Sequence, residues 1–264
     1  MDQASRGIRP LSGKLAIVTG ASRRHGIGAA TCRALGELGA NIFFTHWRAF
    51  DASQPWSDPE GPAHLLAELR ALGVRVEEME ADLSLAETPE RVLAETWTRL
   101  GPPSILVNNA AYSARDGYER LDAAGLDAHY AVNLRGTALL AAGFARGYDG
   151  GEGGRIVNLT SGQDLGPMVG ELAYAATKAA IVAVTRTLAV ELGPRGITVN
   201  AVNPGPTDTG WMDDELKRTL LPRFPLGRLG RPDDAARTIA WLCGPDAAWV
   251  TGQVINTEGG FVRA

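Results

Sequence analysis

The feature that most constrains the fold of this chain is a regular alternation of short apolar segments with longer amphipathic ones. Seven segments are strand-like: residues 15–19, 41–45, 74–80, 105–108, 155–159, 198–202 and 254–256. Six segments between them have helical periodicity: residues 27–38, 63–72, 89–100, 121–144, 172–192 and 233–242. Strands that alternate with helices form βαβ units, which build a parallel sheet. The sequence therefore predicts a three-layer α/β fold, with a central parallel seven-stranded sheet and helices on both faces.

Length, charge and cysteine content narrow the class of protein further. The 264 residues fit one α/β domain, and we expect a single domain over residues 1–264. A formal net charge of −4 provides no basic surface for nucleic acid or an anionic membrane. Cys32 and Cys243 are isolated, which favours a reducing compartment over a disulfide framework. Neither the first 14 residues nor any later apolar run has the length of a signal peptide or a membrane span. We expect a cytoplasmic protein without a metal site.

Two long irregular segments interrupt the alternation. Residues 51–62 (DASQPWSDPEGP) look like an insertion after the second strand, near the adenosine end of a nucleotide site. They either shape cofactor binding or are solvated decoration. Residues 207–230 form a long excursion, which we interpret as a substrate lid because long excursions in compact domains are often functional. Disorder is the alternative for this segment.

A glycine-containing turn between the first strand and the first helix predicts a dinucleotide site. The sequence KLAIVTGASRRHGIGAA has the strand–turn–helix context that separates such a loop from a chance glycine pattern, and it is typical of the doubly wound Rossmann fold. The glycines allow a tight turn and close approach of the backbone, and the helix N-terminus offers N–H groups to phosphates. A plain strand–helix turn is the less favoured alternative. The residues predicted to bind the cofactor here are Gly20, Ser22, Arg23, Arg24, Gly26, Ile27 and Gly28.

The end of the second strand indicates which nicotinamide cofactor is used. A carboxylate that hydrogen-bonds the ribose 2′-hydroxyl of NAD is expected there. However, His46 and the two residues after it are not acidic. Arg23 and Arg24 could instead pair with the 2′-phosphate of NADP. We therefore expect NADP(H) to be favoured over NAD(H), with His46 beside the cofactor. The alternative is that the arginines point into solvent.

One helical segment carries a candidate acid/base group. Tyr174 and Lys178 are four residues apart and so share one helix face. A tyrosine pKa near 10 must fall by roughly 3 units for proton exchange near neutrality, and an ammonium about 4 Å away supplies an effect of that order. Ser161 follows the fifth strand, at the sheet edge where sites form. The spacing alone is usually structural, but together with Ser161 and the phosphate loop it predicts catalysis.

Eight motifs in order resemble the short-chain dehydrogenase/reductase family, in its compact single-domain branch. They are TG…GIG (19–28), ADL (81–83), NNAA (108–111), Asn133 in YAVNLRGT, Ser161, YAATK (174–178), NPGPTDT (203–209) and TGQVINTEGG (251–260). They extend over nearly the whole chain, and the order and spacing are far more specific than any single motif.

The resemblance implies a function and further site residues. It implies hydride transfer between a nicotinamide cofactor and a carbonyl or alcohol, most similar to 3-oxoacyl-carrier-protein reductases, in a homotetramer. The implied catalytic residues are Asn133, Ser161, Tyr174 and Lys178, and Tyr174 and Lys178 would also contact the cofactor. The implied further cofactor residues are Asp82, Leu83, Asn109, Ala110, Pro204, Gly205, Thr207 and Thr209. Asn109 could equally tie strands together, and Asn133 could bond to its own helix backbone.

Substrate choice and the alternatives remain open at this point. Apolar residues in loops above the nicotinamide suggest a moderately hydrophobic small-molecule substrate, although each could be ordinary packing: Tyr112, Leu165, Met168, Trp211 and Met212. The two extra residues in the 19–28 loop are similar to enoyl-thioester reductases of the same superfamily, but those space the tyrosine and lysine further apart. A catalytically inactive, cofactor-sensing regulator is the alternative from another class. A sugar-nucleotide epimerase would need a larger C-terminal substrate domain.

Overall fold

The computed structural model describes residues 9–263, so most of the N-terminal segment considered for a signal peptide lies outside the described residues. Seven strands form one sheet in the order β3-β2-β1-β4-β5-β6-β7, and every neighbouring pair is parallel. The strands are β1 Leu15–Val18, β2 Asn41–His46, β3 Val76–Glu80, β4 Ile105–Asn108, β5 Gly154–Leu159, β6 Ile197–Asn203 and β7 Val254–Asn256. The predicted parallel α/β fold is confirmed.

Helices cover both faces of the sheet. They are α1 Ile27–Glu37, α2 Arg48–Ala52, α3 Gly61–Ala71, α4 Thr88–Arg99, α5 Ala123–His129, α6 Thr137–Gly147, α7 Leu172–Leu192, α8 Asp214–Leu220 and α9 Pro232–Cys243. Alternate residues of β1 enter different cores, since Ala16 and Val18 pack with α1, α3 and α9 while Ile17 packs with α4, α6 and α7. Burial on both faces is the reason that β1 is apolar throughout rather than alternating.

The structure divides the segment that was predicted as one helix over residues 121–144. A π-helical turn, Tyr130–Gly136, separates α5 from α6. A wide turn of this kind is frequent at functional sites, and here it contains Asn133. Helical periodicity does not distinguish the two kinds of turn.

The irregular segments contain helices that the sequence pattern did not indicate. Asp51 and Ala52 of the insertion belong to α2, Gly61 and Pro62 begin α3, and the 207–230 segment contains α8. A bridge between Thr207 and Gly230 closes the base of that segment. We refer to residues 207–230 as the lid segment.

The helical stretch Leu172–Arg195 is long and apolar enough to cross a membrane by length and composition, so the expectation that no run reaches this length was wrong. In the structure α7, which makes up most of it, packs against β6. It carries buried polar side chains, including Lys178 and Thr185.

The strand order reverses between β1 and β4, which opens a crevice at their carboxyl ends. In open α/β sheets, ligands bind at such a switch point. The loops after these two strands approach closely, since a Cβ added to Gly20 would lie 2.6 Å from Ala110 Cα. Gly20 also has φ +72°, a conformation that other residues rarely adopt. The fold therefore places the predicted phosphate loop at the usual ligand position.

Candidate active site

The glycine-rich loop is held against the loop that follows β4. The Asn109 side-chain amide donates to Thr19 O at 2.8 Å and to Gly20 O at 2.9 Å. In return Thr19 Oγ1 accepts from the backbone N–H groups of Asn109 and Ala110 at 3.0 and 3.1 Å. The Asn109 side chain thus ties the two loops together, as the structural alternative proposed.

The N-terminus of α1 faces this loop without a side-chain cap. Gly26 is the N-cap residue, Ile27 begins the helix, and Gly26 has no side chain that could accept from the first turn. A Cβ on Gly28 would lie 2.6 Å from Gly20 O and 2.7 Å from Asn109 Nδ2, so only glycine fits there. Unpaired N–H groups at a helix N-terminus form an anion site. The loop can therefore cradle a pyrophosphate.

Acidic partners hold each arginine near the adenosine end. Arg23 Nε lies 4.0 Å from Asp51 Oδ1, and Arg24 Nη2 lies 3.5 Å from Glu68 Oε1. Burial lowers the pKa of Arg23, although Asp51 and Asp58 oppose this shift. The solvent-facing alternative therefore does not describe Arg23, whose Nη1 also donates to Thr209 O at 3.3 Å.

The three other residues assigned to the adenosine end have local partners. The buried His46 ring directs Nε2 to Glu78 Oε2 at 2.5 Å, so its ring is engaged within the sheet. Asp82 Oδ1 accepts from Ser84 N at 2.8 Å, which leaves its second carboxylate oxygen for a ligand. Leu83 is buried.

Arg48, which begins α2, is a candidate that the sequence prediction left out. It is largely exposed and pairs with Glu80 at 2.7 Å. Its side chain and Ser22 line a cavity of about 60 Å³ whose other lining residues belong to the insertion: Asp51, Ala52, Ser57, Asp58 and Pro59. The position directly after β2 is the signal that could have identified Arg48.

We refer to residues 48–61 as the strap, because they connect the phosphate loop to both loops beyond it. The Phe50 ring lies 5.6 Å from the Tyr112 ring after β4, between ring centroids. A Cβ on Gly210, in the lid segment, would lie 4.0 Å from Trp56 Cβ. Asp58 Oδ2 accepts from Arg24 N at 2.9 Å. The insertion therefore reaches further than the adenosine end.

The structure brings Tyr174, Lys178 and Ser161 together at the carboxyl end of β5. Lys178 is buried and donates from Nζ to Leu159 O at 2.8 Å. Its Nζ also lies 5.6 Å from the centroid of the Tyr174 ring. The Ser161 side chain lies close enough to Tyr174 to lower the pKa of its phenol, and Ser161 Oγ lies 3.8 Å from Met168 Sδ. These three groups are close enough to act on one substrate oxygen.

The pKa of Tyr174 differs from the sequence-based expectation. Burial raises it to about 12, and the nearby Glu171 carboxylate adds to the rise while the Ser161 hydrogen bond opposes it. Burial also lowers the pKa of Lys178 to about 8. The expected fall of the tyrosine pKa is therefore wrong, because desolvation of the buried phenol is the largest influence and raises the pKa.

Asn133 links the π-helical turn to two neighbouring elements rather than to its own helix backbone. Its Oδ1 accepts from Tyr112 N at 2.7 Å, and its Nδ2 donates to Tyr112 O at 2.9 Å and to Thr177 Oγ1 at 3.1 Å. Thr177 Oγ1 in turn donates to Tyr174 O at 2.9 Å. This chain of contacts joins the loop after β4 to the first turn of α7.

Asp116 caps α7 from outside the helix, a role that the sequence prediction missed. Its carboxylate accepts from Leu172 N at 2.7 Å and from Ala173 N at 2.9 Å. Desolvation opposes ionisation of Asp116, but hydrogen bonds from Ala173, Gly117 and Leu172 outweigh it and lower the pKa. The helix's own N-cap residue makes no side-chain cap. A residue 56 positions upstream gives no local sequence signal for such a contact.

The loop after β6 turns back on itself. Gly205 N donates to Asn203 Oδ1 at 3.0 Å, and Thr207 Oγ1 donates to Pro204 O at 3.0 Å. Thr209 O, at the start of the lid segment, accepts the hydrogen bond from Arg23 described above. The residues assigned to the nicotinamide end therefore lie in one short, internally bonded loop.

The five candidate substrate residues have different environments. Tyr112 packs edge-on against the buried His129 ring, with centroids 4.8 Å apart. Trp211 is part-exposed and donates from Nε1 to Thr207 O at 3.0 Å, whereas Met212 is buried as a packing residue would be. Leu165 is exposed, and Met168 is beside Ser161.

A dinucleotide loop at the switch point, with a phenol, an ammonium and a hydroxyl converging beside it, defines the class of a nicotinamide-dependent oxidoreductase. A family model described as enoyl-(acyl carrier protein) reductase matches residues 20–262. YjdA of Bacillus subtilis, an uncharacterized oxidoreductase, is 54% identical over 95% of this chain and 97% of its own length. The 3-oxoacyl-acyl-carrier-protein reductase FabG of Pseudomonas aeruginosa is 37% identical, over 95% of this chain and 98% of its own.

Solved structures agree with these similarities. A blue fluorescent protein from a metagenomic library, in complex with NADPH, superposes with a TM-score of 0.86 at 33% identity, covering 96% of this chain and 100% of that one. A short-chain dehydrogenase/reductase from Serratia marcescens gives a TM-score of 0.85 at 33% identity, covering 96% and 99%. The chain belongs to the short-chain dehydrogenase/reductase family and is an enzyme that acts on CH–OH or C=O groups with a nicotinamide cofactor.

Proposed function

We propose that this enzyme reduces a ketone with NADPH, in the manner of 3-oxoacyl-carrier-protein reductases. The observation that carries the proposal is the convergence of Ser161, Tyr174 and Lys178 at one strand end. A bound nicotinamide supplies the hydride. Ser161 Oγ holds the carbonyl oxygen beside the tyrosine, and Tyr174 donates its phenolic proton to that oxygen as the alcohol forms.

The raised pKa of the phenol suits the proton-donating role of Tyr174 in reduction, whereas the direction of net turnover is set by the ratios of cofactor and substrate forms. A pKa of about 12 keeps Tyr174 protonated at neutral pH, so the proton-donating form that reduction needs is fully populated. Oxidation of an alcohol would need the phenolate, which is scarce at neutral pH. Lys178 orients the site through Leu159 O, and Asn133 steadies the turn that carries Tyr174.

Three observations support NADP(H) as the cofactor. Arg48 lies near the end of β2, and no carboxylate stands there. The third is that a protein of similar fold was solved in complex with NADPH. The carboxylates that hold the arginines compete with a 2′-phosphate. However, exposed ion pairs are weak because solvent screens them, so Arg48 can exchange Glu80 for a phosphate at little cost.

We further propose how the molecule is organised. Residues 1–264 act as one domain, with the lid segment over a small-molecule carbonyl substrate. The enzyme assembles as a homotetramer, with one interface along residues 121–144 and 172–192 and another at the C-terminal strand. Leu139, Leu172 and Val190 are exposed on the helices of the first interface. We propose a cytoplasmic location, without nucleic acid or membrane partners.

Enoyl-thioester reduction is the second candidate. The description of the matching family model and the long 19–28 loop favour it. The four-residue spacing of Tyr174 and Lys178 and the presence of Ser161 favour carbonyl reduction. A cofactor-sensing regulator without activity is less favoured, because all four proposed catalytic residues are present.

The decisive experiment is a screen of NADPH and NADH oxidation against ketones, quinones, 3-oxoacyl thioesters and enoyl thioesters. We expect turnover of a ketone or 3-oxoacyl thioester with a preference for NADPH. Replacement of Tyr174 by Phe should lower kcat by about 10³-fold, since positioned proton transfer contributes 10²–10⁴-fold, and should leave the NADPH dissociation constant unchanged. Tyr130→Phe, at a half-exposed tyrosine, is the matched control. Retained turnover in Tyr174→Phe would defeat the assignment.

A further inference from the structure

The C-terminal residues 257–263, which we call the tail, follow β7 and contact three loops at the active-site edge of the sheet. These loops are the turn after Ser161, the loop after β6 and the end of the lid segment. Each contact is made by a different residue of the tail, so the tail can fix the three loops relative to one another.

Glu258 connects the tail to the loop after β6. Its Oε2 accepts from Asn203 Nδ2 at 3.0 Å, and Asn203 Oδ1 accepts from Gly205 N at 3.0 Å. Gly205 has φ +62°, and a Cβ there would collide with Glu258 Cβ. Glu258 therefore lies directly against the loop that we assign to the nicotinamide end.

Arg263 connects the tail to the turn after Ser161. Its two terminal nitrogens donate to the two Glu258 carboxylate oxygens at 2.8 and 2.5 Å, and both side chains are largely buried, with 18% and 10% exposed. Such a two-pronged ion pair fixes the orientation of both groups. A Cβ on Gly166 would lie 2.7 Å from Arg263 Cδ, and one on Gly162 would collide with the guanidinium. The Arg263 side chain thus fills the concave side of the turn.

The third contact is with the end of the lid segment. Val262 N donates to Arg223 O at 2.9 Å, and Arg223 Nε donates to Val262 O at 2.8 Å. The Phe261 ring packs against Phe224, with centroids 4.9 Å apart. The lid segment therefore holds the backbone of the tail just before Arg263.

We propose that Arg263 is a positioning residue for the carbonyl reduction proposed above, on which this inference rests. Locked by Glu258, it holds the glycine-rich turn that begins at Ser161 at a set distance from the loop after β6. The Ser161 hydroxyl must meet the substrate oxygen while the nicotinamide end is held by the other loop. A misplacement of about 1 Å between reacting groups can lower the rate about 10²-fold, so the ion pair acts on catalysis without touching the substrate.

The test compares Arg263→Ala and Arg263→Lys with the wild-type enzyme, using the best ketone from the screen. In Arg263→Ala we expect kcat/KM for the ketone to fall about 10- to 100-fold. We expect the NADPH dissociation constant, measured by cofactor fluorescence, to change by less than about 3-fold, because the hydrogen bonds and the ion pair of Arg263 are made to Glu258 and not to the phosphate loop. Arg263→Lys keeps the charge and the methylenes against Gly166, so it should recover part of the loss.

Guanidinium rescue separates positioning from general stability. Added guanidinium at about 20 mM, far below concentrations that unfold proteins, should restore part of kcat/KM in Arg263→Ala, and sodium chloride at the same concentration should not. Arg237→Ala is the matched control, since the Arg237 side chain is 75% exposed and its one ion pair within residues 9–263 is with Asp234, at 3.9 Å. It should behave as the wild type.

Hydrogen exchange of the amides in residues 162–168 provides a readout that does not depend on activity. We expect exchange there to accelerate about 10-fold in Arg263→Ala, while the centre of α7 is unchanged. Values of kcat/KM within about 2-fold of the wild type, in an Arg263→Ala enzyme that binds NADPH, would overturn the proposal. If the wild type reduces no carbonyl compound, the proposed function fails, and unchanged exchange in the turn would overturn the positioning contact separately. If Arg263→Ala does not fold, Arg263→Lys decides both readouts, and wild-type values in both would count against the proposal.

Discussion

The first two turns of α7 and the strap present opposite kinds of site. On α7, Tyr174 and Lys178 lie one turn apart and burial desolvates both, while Lys178 Nζ and Thr177 Oγ1 each donate a short hydrogen bond. On the strap, Arg48 is exposed and Asp51 pairs loosely with Arg23 at 4.0 Å. Desolvation shifts the pKa values on α7, so substitutions there should have large effects on the chemical step. Weak ion pairs fix the strap, so substitutions there should have small effects on cofactor binding.

Replacement of Lys178 by Met should have the largest effect of the three changes that test this comparison. We expect kcat for ketone reduction to fall about 10²-fold or more, since Lys178 belongs to the group of side chains proposed to act in proton transfer. The same change should not lower stability at neutral pH. A lysine whose pKa is about 8 in the folded protein and 10.5 when unfolded opposes folding while it is charged.

The pH dependence of unfolding separates these two effects. Between pH 8 and 10.5 the unfolded chain binds more protons at Lys178 than the folded one, so wild-type stability rises with pH in this window. Relative to Lys178→Met, the free energy of unfolding of the wild type should increase by up to about 3 kcal/mol between pH 7 and 10.5, as measured by urea denaturation. Lys14→Met, just before β1, is the matched lysine-to-methionine control. A constant difference across this range would show that Lys178 is not desolvated.

Removal of the cap by Asp116→Ala should have a smaller effect that still reaches catalysis. Losing a cap of this kind costs about 0.5–2 kcal/mol, and fraying of the first turn should lower kcat about 10-fold through Tyr174. The carboxylate has a lowered pKa, so its contribution is present above the ordinary aspartate range and is lost as pH falls through the folded-state pKa. The stability difference from wild type should therefore shrink in acid.

Asp122→Ala is the matched control, because Asp122 caps α5 by accepting from Gly125 N at 2.7 Å. It should lose similar stability in thermal unfolding and keep kcat. Equal kcat losses in the two variants would remove the specific link between Asp116 and the tyrosine.

Truncation of the strap aromatics should have the smallest effect and should act on the cofactor alone. Phe50→Ala and Trp56→Ala remove the contacts with Tyr112 and with the lid segment. We expect NADPH to dissociate about 3- to 10-fold faster in stopped-flow fluorescence, which corresponds to about 1 kcal/mol, with kcat for the ketone within 2-fold. Trp249→Ala, at a fully exposed tryptophan, should have no effect. A change in kcat larger than the change in the NADPH release rate would show that the strap acts on catalysis and not only on the cofactor.

Two regions show how far sequence reasoning reached. The predicted α7 segment, residues 172–192, coincides with the observed helix, and local periodicity alone placed Tyr174 beside Lys178. The tyrosine pKa was predicted in the wrong direction, because the sequence contains the distance between the two groups but not the dielectric around them. Asn133 was identified by its motif, whereas its partner Tyr112 N became visible only in the folded chain.

Contacts between remote segments account for the rest. The cap from Asp116, the strap's contact with Tyr112 and the Glu258–Arg263 pair against Gly162 each join positions that no periodic pattern relates. Gly162 and Gly166 in the turn after Ser161 must lack a side chain because the Arg263 side chain fills the space that a Cβ would occupy.

The sequence by itself determined the parallel sheet, the phosphate loop and the helix face that carries the phenol and the ammonium, because these depend on spacing along a few turns of chain. Only the tertiary structure decided which carboxylate holds each arginine, how strongly burial shifts the two pKa values and what the last residues of the chain support. Those outcomes depend on solvent exclusion and on distances through space, which are set by the packing of the whole molecule.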